Sequence, residues 1–377
     1  MMKVLIIMDG YLPGKKYGGP PISVDNLCSL LDDDFYIVTR DHDLFETERY
    51  DCITDGWNDR NNCNVMYLQD SKYNVISFRK IILELQPDII YLQGIFQSSI
   101  LPSLFLAKIN NIKVLLAPRG ELCEGAYKIK HLKKAAYIKF INLLKLTKQI
   151  HWQSTSLEET EAIEKLLNCN ADKIHHLENV PSIPNETFTN SKKIRGHAKF
   201  VFISRIHPKK NLLAALQIFK NVGGKVIFDI YGPIEDEQYW SKCIEVIKSL
   251  PETVMVEYKG IINHEKIHSV FSKYDAFFFP TLSENYGHVI AESMIVGTPV
   301  IISDQTPWND INEFECGKAI PLSNRDEFIL ELNRIVDMDD DEIQIIRNRV
   351  KKYAIKKMNI EALKARYNKL FFEILQK

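Results

Sequence analysis

Residues 275–302 read DAFFFPTLSENYGHVIAESMIVGTPVII. The apolar run Asp275–Phe279 is a buried strand that stops at Pro280 and enters a polar turn at Thr281–Asn285. A helical pattern follows from Tyr286 to Val296; Gly297 ends it, Pro299 punctuates the turn, and Val300–Ile302 begins another strand. This is a strand–helix–strand unit of a parallel sheet, and its chemistry belongs where the first strand ends. Glu284 stands there. Glu292 follows eight residues later, about two helical turns on, with His288 one turn before it on the same face. Gly287 leaves the helix N-terminus open, so its N–H groups can meet an anion. Two carboxylates repel phosphate but suit neutral hydroxyls, so the loop reads as a site for a ligand carrying both hydroxyls and phosphate.

The bulk properties set the boundaries around this unit. At 377 residues the chain exceeds one ordinary core and divides into two domains of roughly 150–200 residues each. With 48 basic and 49 acidic residues it has no global nucleic-acid-binding charge, and no aromatic platform or binding motif points to nucleic acid. Seven scattered cysteines without a CxxC favour a reducing compartment over a disulfide framework or structural zinc. The opening MMKVLIIMDGYLPG reads as an internal strand running into a glycine-rich turn, not as a signal peptide, and no apolar run is long enough to span a membrane.

The first half alternates strands with helices. Strands are expected at 3–8, 36–39, 65–68, 89–92, 114–117, 150–153 and 173–177, with helices near 22–31, 77–85 and 99–110. Residues 40–63 read as an irregular excursion. Gly18 and Gly19, in the loop after the first strand, either bring backbone N–H groups to an anion or belong to a plain surface loop. Pro118-Arg119-Gly120-Glu121 closes another strand: Arg119 suits a phosphate or an acceptor carboxylate and Glu121 a hydroxyl, or the two make an internal ion pair. Residues 128–148, KIKHLKKAAYIKFINLLKLTK, carry seven lysines and no acid among apolar residues. They read equally as a segment lying on an anionic membrane surface and as a solvated helix face packed on its own sheet. Ser156 and Glu159 form a capping box, and residues 181–196 form the linker.

A second alternating system begins at Lys199–Ser204. Arg205 and Lys210 flank the turn into the next helix, either as a clamp for two adjacent phosphates or as a solvated charge cluster. Strands at 226–231 and 254–258 end at Gly232-Pro233 and Lys259-Gly260, and Asn263 or His264 caps the helix that leads to Tyr274. The acidic run Asp337–Asp341 is a helix cap rather than a metal site. Two further helices end the chain, the last with an apolar face of Tyr367, Leu370, Phe371 and Ile374.

Glu284-Asn-Tyr-Gly287-His-Val-Ile-Ala-Glu292 resembles the E-x(2)-G-x(4)-E signature of retaining glycosyltransferases of family 4, and Ser204-Arg205-Ile206 with Lys210 resembles that family's (G/S)-R-(L/I)-x(3)-K motif. Pro118-Arg119-Gly120-Glu121 is similar to a segment of its bacterial surface-polysaccharide members, those of O-antigen, capsule and exopolysaccharide. The resemblance implies an α/β GT-B fold: two Rossmann-like domains with parallel sheets facing across a cleft, residues 1–190 on the acceptor side and 197–358 on the donor side, and a helix at about 360–377 crossing back to the first domain. It implies catalysis by Glu284, Arg205 and Lys210. The donor, a UDP- or GDP-sugar, would contact Gly18, Gly19, Arg205, Lys210, Gly260, Glu284, Asn285, Tyr286, Gly287 and Glu292, with Arg119 and Glu121 on the acceptor side. It further implies retention of configuration without metal or cofactor and a glycan or undecaprenyl-linked acceptor. The expected location is cytoplasmic, with residues 128–148 as the contact to the inner face of the plasma membrane. The alternatives in view are a non-catalytic nucleotide-sugar or glycan-binding protein of the same fold and a UDP-sugar epimerase.

Overall fold

The structure, a computed structural model, describes residues 1–60, 62–148, 150–184 and 186–376. Asn61 in the expected excursion, Asn185 in the expected linker and Lys377 in the expected crossover helix lie outside the described residues. The chain forms two compact units, Met1–Val180 together with Ile360–Lys377, and Pro181–Asn359.

Unit 1 contains β1 (Lys3–Ile7), β2 (Asp34–Arg40), β3 (Trp57–Asp59), β4 (Asn64–Leu68), β5 (Ile89–Gln93), β6 (Lys113–Ala117), β7 (His151–Ser154) and β8 (Ile174–His176). Their order in the sheet is β3-β4-β2-β1-β5-β6-β7-β8. All neighbours are parallel except β3, which pairs antiparallel with β4 at the edge. That short strand lies inside the stretch expected to be irregular; three polar-flanked residues carry no alternation that would announce it. Side chains alternate across the sheet, so Val4 and Ile6 enter one apolar layer while Leu5 and Ile7 enter the other. The C-terminal helix Ile360–Gln376 supplies Leu363, Tyr367, Leu370, Phe371 and Ile374 to the layer of Val4 and Ile6. Its Tyr367 hydroxyl is bonded to Gln153 and Glu178, which fixes the helix on the sheet.

Unit 2 contains β9 (His197–Ile203), β10 (Lys225–Tyr231), β11 (Val254–Gly260), β12 (Ala276–Phe279), β13 (Val300–Ser303) and β14 (Gly317–Ile320). The order is β11-β10-β9-β12-β13-β14 and every pair is parallel. Phe200, Phe202, Phe219, Phe228, Phe277, Phe278 and Phe279 are fully buried in it. All six strands therefore end on the same edge. The chain lays β10 and β11 to one side of β9, then returns to place β12 on the other.

The boundary between units falls at Val180/Pro181, ahead of the expected linker. Within 186–196 the chain is tied to unit 2: Ser191 N–H donates to Ser272, Asn190 to the Ser272 and Val296 carbonyls, and Lys193, only 3% exposed, to the carbonyls of Ile194 and Val336. The acidic run caps as expected, with Asp339 and Glu342 in a reciprocal box at the start of Asp340–Met358. The capping box expected at Ser156 and Glu159 is absent. Ser156 does accept from Glu159 N–H, but the Glu159 carboxylate turns to the N–H groups of Thr155 and Gly120.

Asp275 opens β12 and accepts from Lys199 N–H (2.8 Å) and from the buried Arg347 guanidinium (3.1 Å), which also donates to Ser191 O. Burial pushes the Asp275 carboxyl up and Arg347 down, against the attraction between them. Removing one member leaves the other charged and dry. Arg347→Met is expected to destabilise the protein by about 3–5 kcal/mol in denaturant unfolding, and the double variant Asp275→Leu/Arg347→Met by less than that single change.

Candidate active site

In an open parallel sheet the ligand crevice lies outside the strand ends where the strand order reverses. In unit 2 that point is between β9 and β12, and the two loops leaving these strands carry Arg205, Lys210 and Glu284. The loops are joined. Lys210 Nζ and the Glu284 carboxylate form an ion pair, with side chains 12% and 14% exposed. Lys209 O accepts from Leu282 N–H (2.9 Å) and from the Thr281 hydroxyl (3.2 Å). The Asn211 amide donates to Pro280 O (2.8 Å).

The neighbouring loops continue this seam. Arg205 Nη1 donates to both oxygens of Glu235 (2.8 and 3.0 Å), beyond the end of β10. Ile206 N–H donates to Pro233 O (2.8 Å), and Gly232 N–H donates to Gly260 O (2.9 Å), which brings the β11 exit alongside. Gly232 is required there. At φ 136° it passes so close to β9's exit that a Cβ would lie 1.9 Å from Ser204 O. On the far side, Glu284 N–H donates to Gln305 O (3.0 Å), just past β13.

Gly287 starts the helix His288–Ile295 at φ 79°, and no side chain caps it; Ile290 N–H donates to Gly287 O (2.9 Å). The turn before it is held by Trp308, whose indole donates to Tyr286 O and whose ring meets the Tyr286 ring edge-on at 5.8 Å. Glu292, on that helix, is almost wholly buried, and its Oε1 lies 2.7 Å from His264 Nε2. Burial raises its carboxyl, but the His264 hydrogen bond and the imidazoles of His264, His288 and His268 outweigh that and hold it below the ordinary carboxyl value.

The unit 1 residues are arranged differently. Gly18, at φ 76°, precedes the helix Gly19–Leu30, in the loop after β1 and at that sheet's own reversal between β1 and β5. Arg119 and Glu121 do not pair with each other. Arg119 is turned inward to Gln93 (2.7 Å), the Tyr91 hydroxyl (3.2 Å) and Asn179. Glu121 accepts from the N–H groups of Ile95 (2.6 Å) and Phe96 (3.0 Å) and from the Gln97 amide (3.0 Å), and burial raises its carboxyl. Both side chains thus bond to neighbouring strands and loops of unit 1. At the same reversal stands a cluster that the sequence did not single out: Asp9 bonded to Tyr73 and Ser99, with Arg40 4.0 Å away. Its only sequence signal was an acid at the end of β1.

Residues 185–357, nearly the whole of unit 2, match the family Glycosyl transferases group 1. Unit 2 is a group 1 glycosyltransferase domain. The chain is a glycosyltransferase, and solved structures show its fold to be GT-B. HepE from Anabaena, solved with UDP and glucose, superposes with TM-score 0.73 at 13% identity over 99% of this chain and 100% of HepE. Sucrose-phosphate synthase from Thermosynechococcus elongatus gives 0.71 at 13% identity over 100% of both chains. The lipopolysaccharide outer core galactosyltransferase WaaB gives 0.62 at 16% identity over 99% of both chains. No curated protein matches the chain in sequence.

In this glycosyltransferase the two glycines beside the candidate site make a controlled comparison. A Cβ on Gly260, at φ 78°, would meet nothing within 4 Å, whereas one on Gly232 collides with backbone. Gly260→Ala is expected to cost about 1–2 kcal/mol, the left-handed penalty alone, and Gly232→Ala clearly more, measured by denaturant unfolding.

Proposed function

We propose that the protein transfers a sugar from a nucleoside-diphosphate sugar to a glycan or lipid-linked glycan of a surface polysaccharide, with retention of anomeric configuration. The observation that carries this reading is the pairing of Lys210 with Glu284 across the β9/β12 reversal, beside the N-terminus of the helix from His288, which no side chain caps. An ammonium has three donors, so Lys210 can keep Glu284 and still bond a phosphate oxygen. Arg205 holds Glu235 through Nη1 alone, which leaves the other edge of the guanidinium for the second phosphate. Together with the first-turn amides these cations neutralise the diphosphate as the glycosidic bond breaks, where negative charge grows.

Glu284 then positions the donor sugar through its hydroxyls, Asn285, Tyr286 and Gly287 line the diphosphate, Gly260 borders the base, and Glu292 takes the ribose hydroxyls. The acceptor hydroxyl attacks from the face the phosphate leaves, with no protein nucleophile and no metal. UDP is the first donor base to try, because HepE has been solved with UDP-glucose. Acceptors of the polysaccharide class are supported by WaaB, a lipopolysaccharide outer core galactosyltransferase.

A screen of UDP-, GDP-, ADP- and dTDP-sugars by thermal shift identifies the donor, since a specific ligand raises Tm by mass action. Transfer of that sugar is expected to fall about 100-fold or more in Lys210→Ala and in Glu284→Ala, with both variants folded, and to be unchanged by EDTA. Full transfer rates in both variants at subsaturating donor would overturn the reading. Donor binding without turnover on any glycan acceptor would point to a binding protein, and UDP release without an acceptor to an epimerase.

The reading extends to the membrane surface. Of the lysines in 128–148, Lys134 is tied inward to Ala126 O and the Phe96 ring, and Lys128 pairs with Glu124. The helix His131–Leu143 buries Ile138 and Ile141 but leaves Leu132 84%, Phe140 49% and Leu143 79% exposed on its outer stripe, among lysines. Among the described residues no helix is long and apolar enough to cross a membrane. A basic stripe with outward apolar side chains suits an anionic bilayer surface. Co-sedimentation with phosphatidylglycerol vesicles is expected, and it should be lost in Leu132→Ser/Leu143→Ser; equal absence of binding to anionic and neutral vesicles would remove this contact.

A further inference from the structure

The Glu292 carboxylate has a feature that the donor reading does not use. It is buried, and it has three imidazoles around it from two elements: His288 on its own helix, and His264 and His268 from the segment between β11 and β12. His264 is in direct contact, at 2.7 Å from Nε2 to Oε1. His264 opens the short turn His264–Lys266, whose start is fixed by the Asn263 side chain accepting from Glu265 N–H. Its position is therefore set by backbone that follows directly from the β11 exit. His268, one helical turn on, is buried. A buried carboxylate without a bonded partner costs enough that it takes up a proton instead.

We infer that His264 is a positioning residue for the donor: it fixes the Glu292 carboxylate in one orientation and keeps it ionised to accept from the ribose hydroxyls. This rests on the ribose role proposed above for Glu292. The chemistry is direct. A carboxylate has about four lone-pair sites, and His264 uses one oxygen, so acceptor capacity remains for a vicinal diol. Hydroxyls bond more strongly to a charged acceptor than to a neutral acid. Losing His264 takes away its bond to Glu292 and lets burial raise the carboxyl, with the imidazoles of His288 and His268 still near it. Glu292 then protonates at a higher pH, so donor affinity falls away at a higher pH as the solution is acidified.

The test compares His264→Ala, His264→Gln and Glu292→Ala with the wild-type chain. Affinities for UDP, GDP, ADP and dTDP are read by calorimetry between pH 5 and 8, and the Glu292 carboxyl titration is followed by carbon-13 NMR. Donor KM and kcat are measured with the sugar nucleotide that binds. His264→Ala is expected to weaken the nucleotide about tenfold, to raise KM more than it lowers kcat, and to move the Glu292 titration upward. His264→Gln, whose amide donates from the same reach, should restore most of the affinity at pH 8 but not at pH 5. Wild-type affinity and an unmoved Glu292 titration in His264→Ala overturn the inference. A Glu292→Ala variant with unchanged affinity for every nucleotide overturns instead the ribose role on which it rests, and in that case the NMR titration still decides whether His264 holds the carboxylate.

Discussion

The Lys210–Glu284 ion pair is where this structure concentrates its chemistry, because it spans the place where a parallel sheet reverses its order of assembly. Six strands running the same way deliver all their exits to one edge, and the order of assembly reverses between β9 and β12, ahead of the helix His288–Ile295. A cation and an anion placed there are worth more together than apart. Each lowers the desolvation cost of the other, and each stays available to a ligand that carries both phosphate and hydroxyls. The loops on either side reinforce the arrangement through backbone bonds, from Gly260 to Gly232 to Ile206 on one flank and from Glu284 to Gln305 on the other.

Local signals in the chain were read reliably where partners are close in sequence. The strand–turn–helix around Glu284, the cap in the 337–341 acidic run and the apolar face of the last helix all depend on short spacings, which periodicity and capping rules detect, although the box read at Ser156 and Glu159 keeps only its Ser156 half. The motif resemblance brought Lys210 and Glu284, 74 residues apart, to one expected site, but their ion pair was not foreseen. What escaped depends on sheet order. Glu235 reaches Arg205 only because β10 lies against β9, and His264 reaches Glu292 only because the β11–β12 connection passes the helix that carries it. The bonds of Arg119 to Gln93 and to Asn179, 60 residues on, likewise depend on the placing of strands that no local spacing shows.

The two units use the same architecture with different finishing. In unit 2 the strand exits present charge in a seam of interlocked loops. In unit 1 the polar groups at the strand exits are largely consumed internally, by Arg119 with Gln93 and Asn179 and by Glu121 with the 95–97 turn. Low sequence identity to other GT-B enzymes across nearly the full length is compatible with this division, since a parallel sheet asks mainly for apolar strands and leaves the loop residues free to vary.

The last helix has a consequence for biosynthesis. Tyr367, Phe371 and Ile374 complete an apolar layer begun by Val4 and Ile6, so the first 180 residues leave the ribosome with one side of their sheet unsealed. At about 5–20 residues per second, the nascent chain spends roughly 10–40 s making the intervening unit before the missing helix begins to emerge. Through that interval this layer of unit 1 lacks Leu363, Tyr367, Leu370, Phe371 and Ile374, so its packing waits for the helix Ile360–Gln376 to be made.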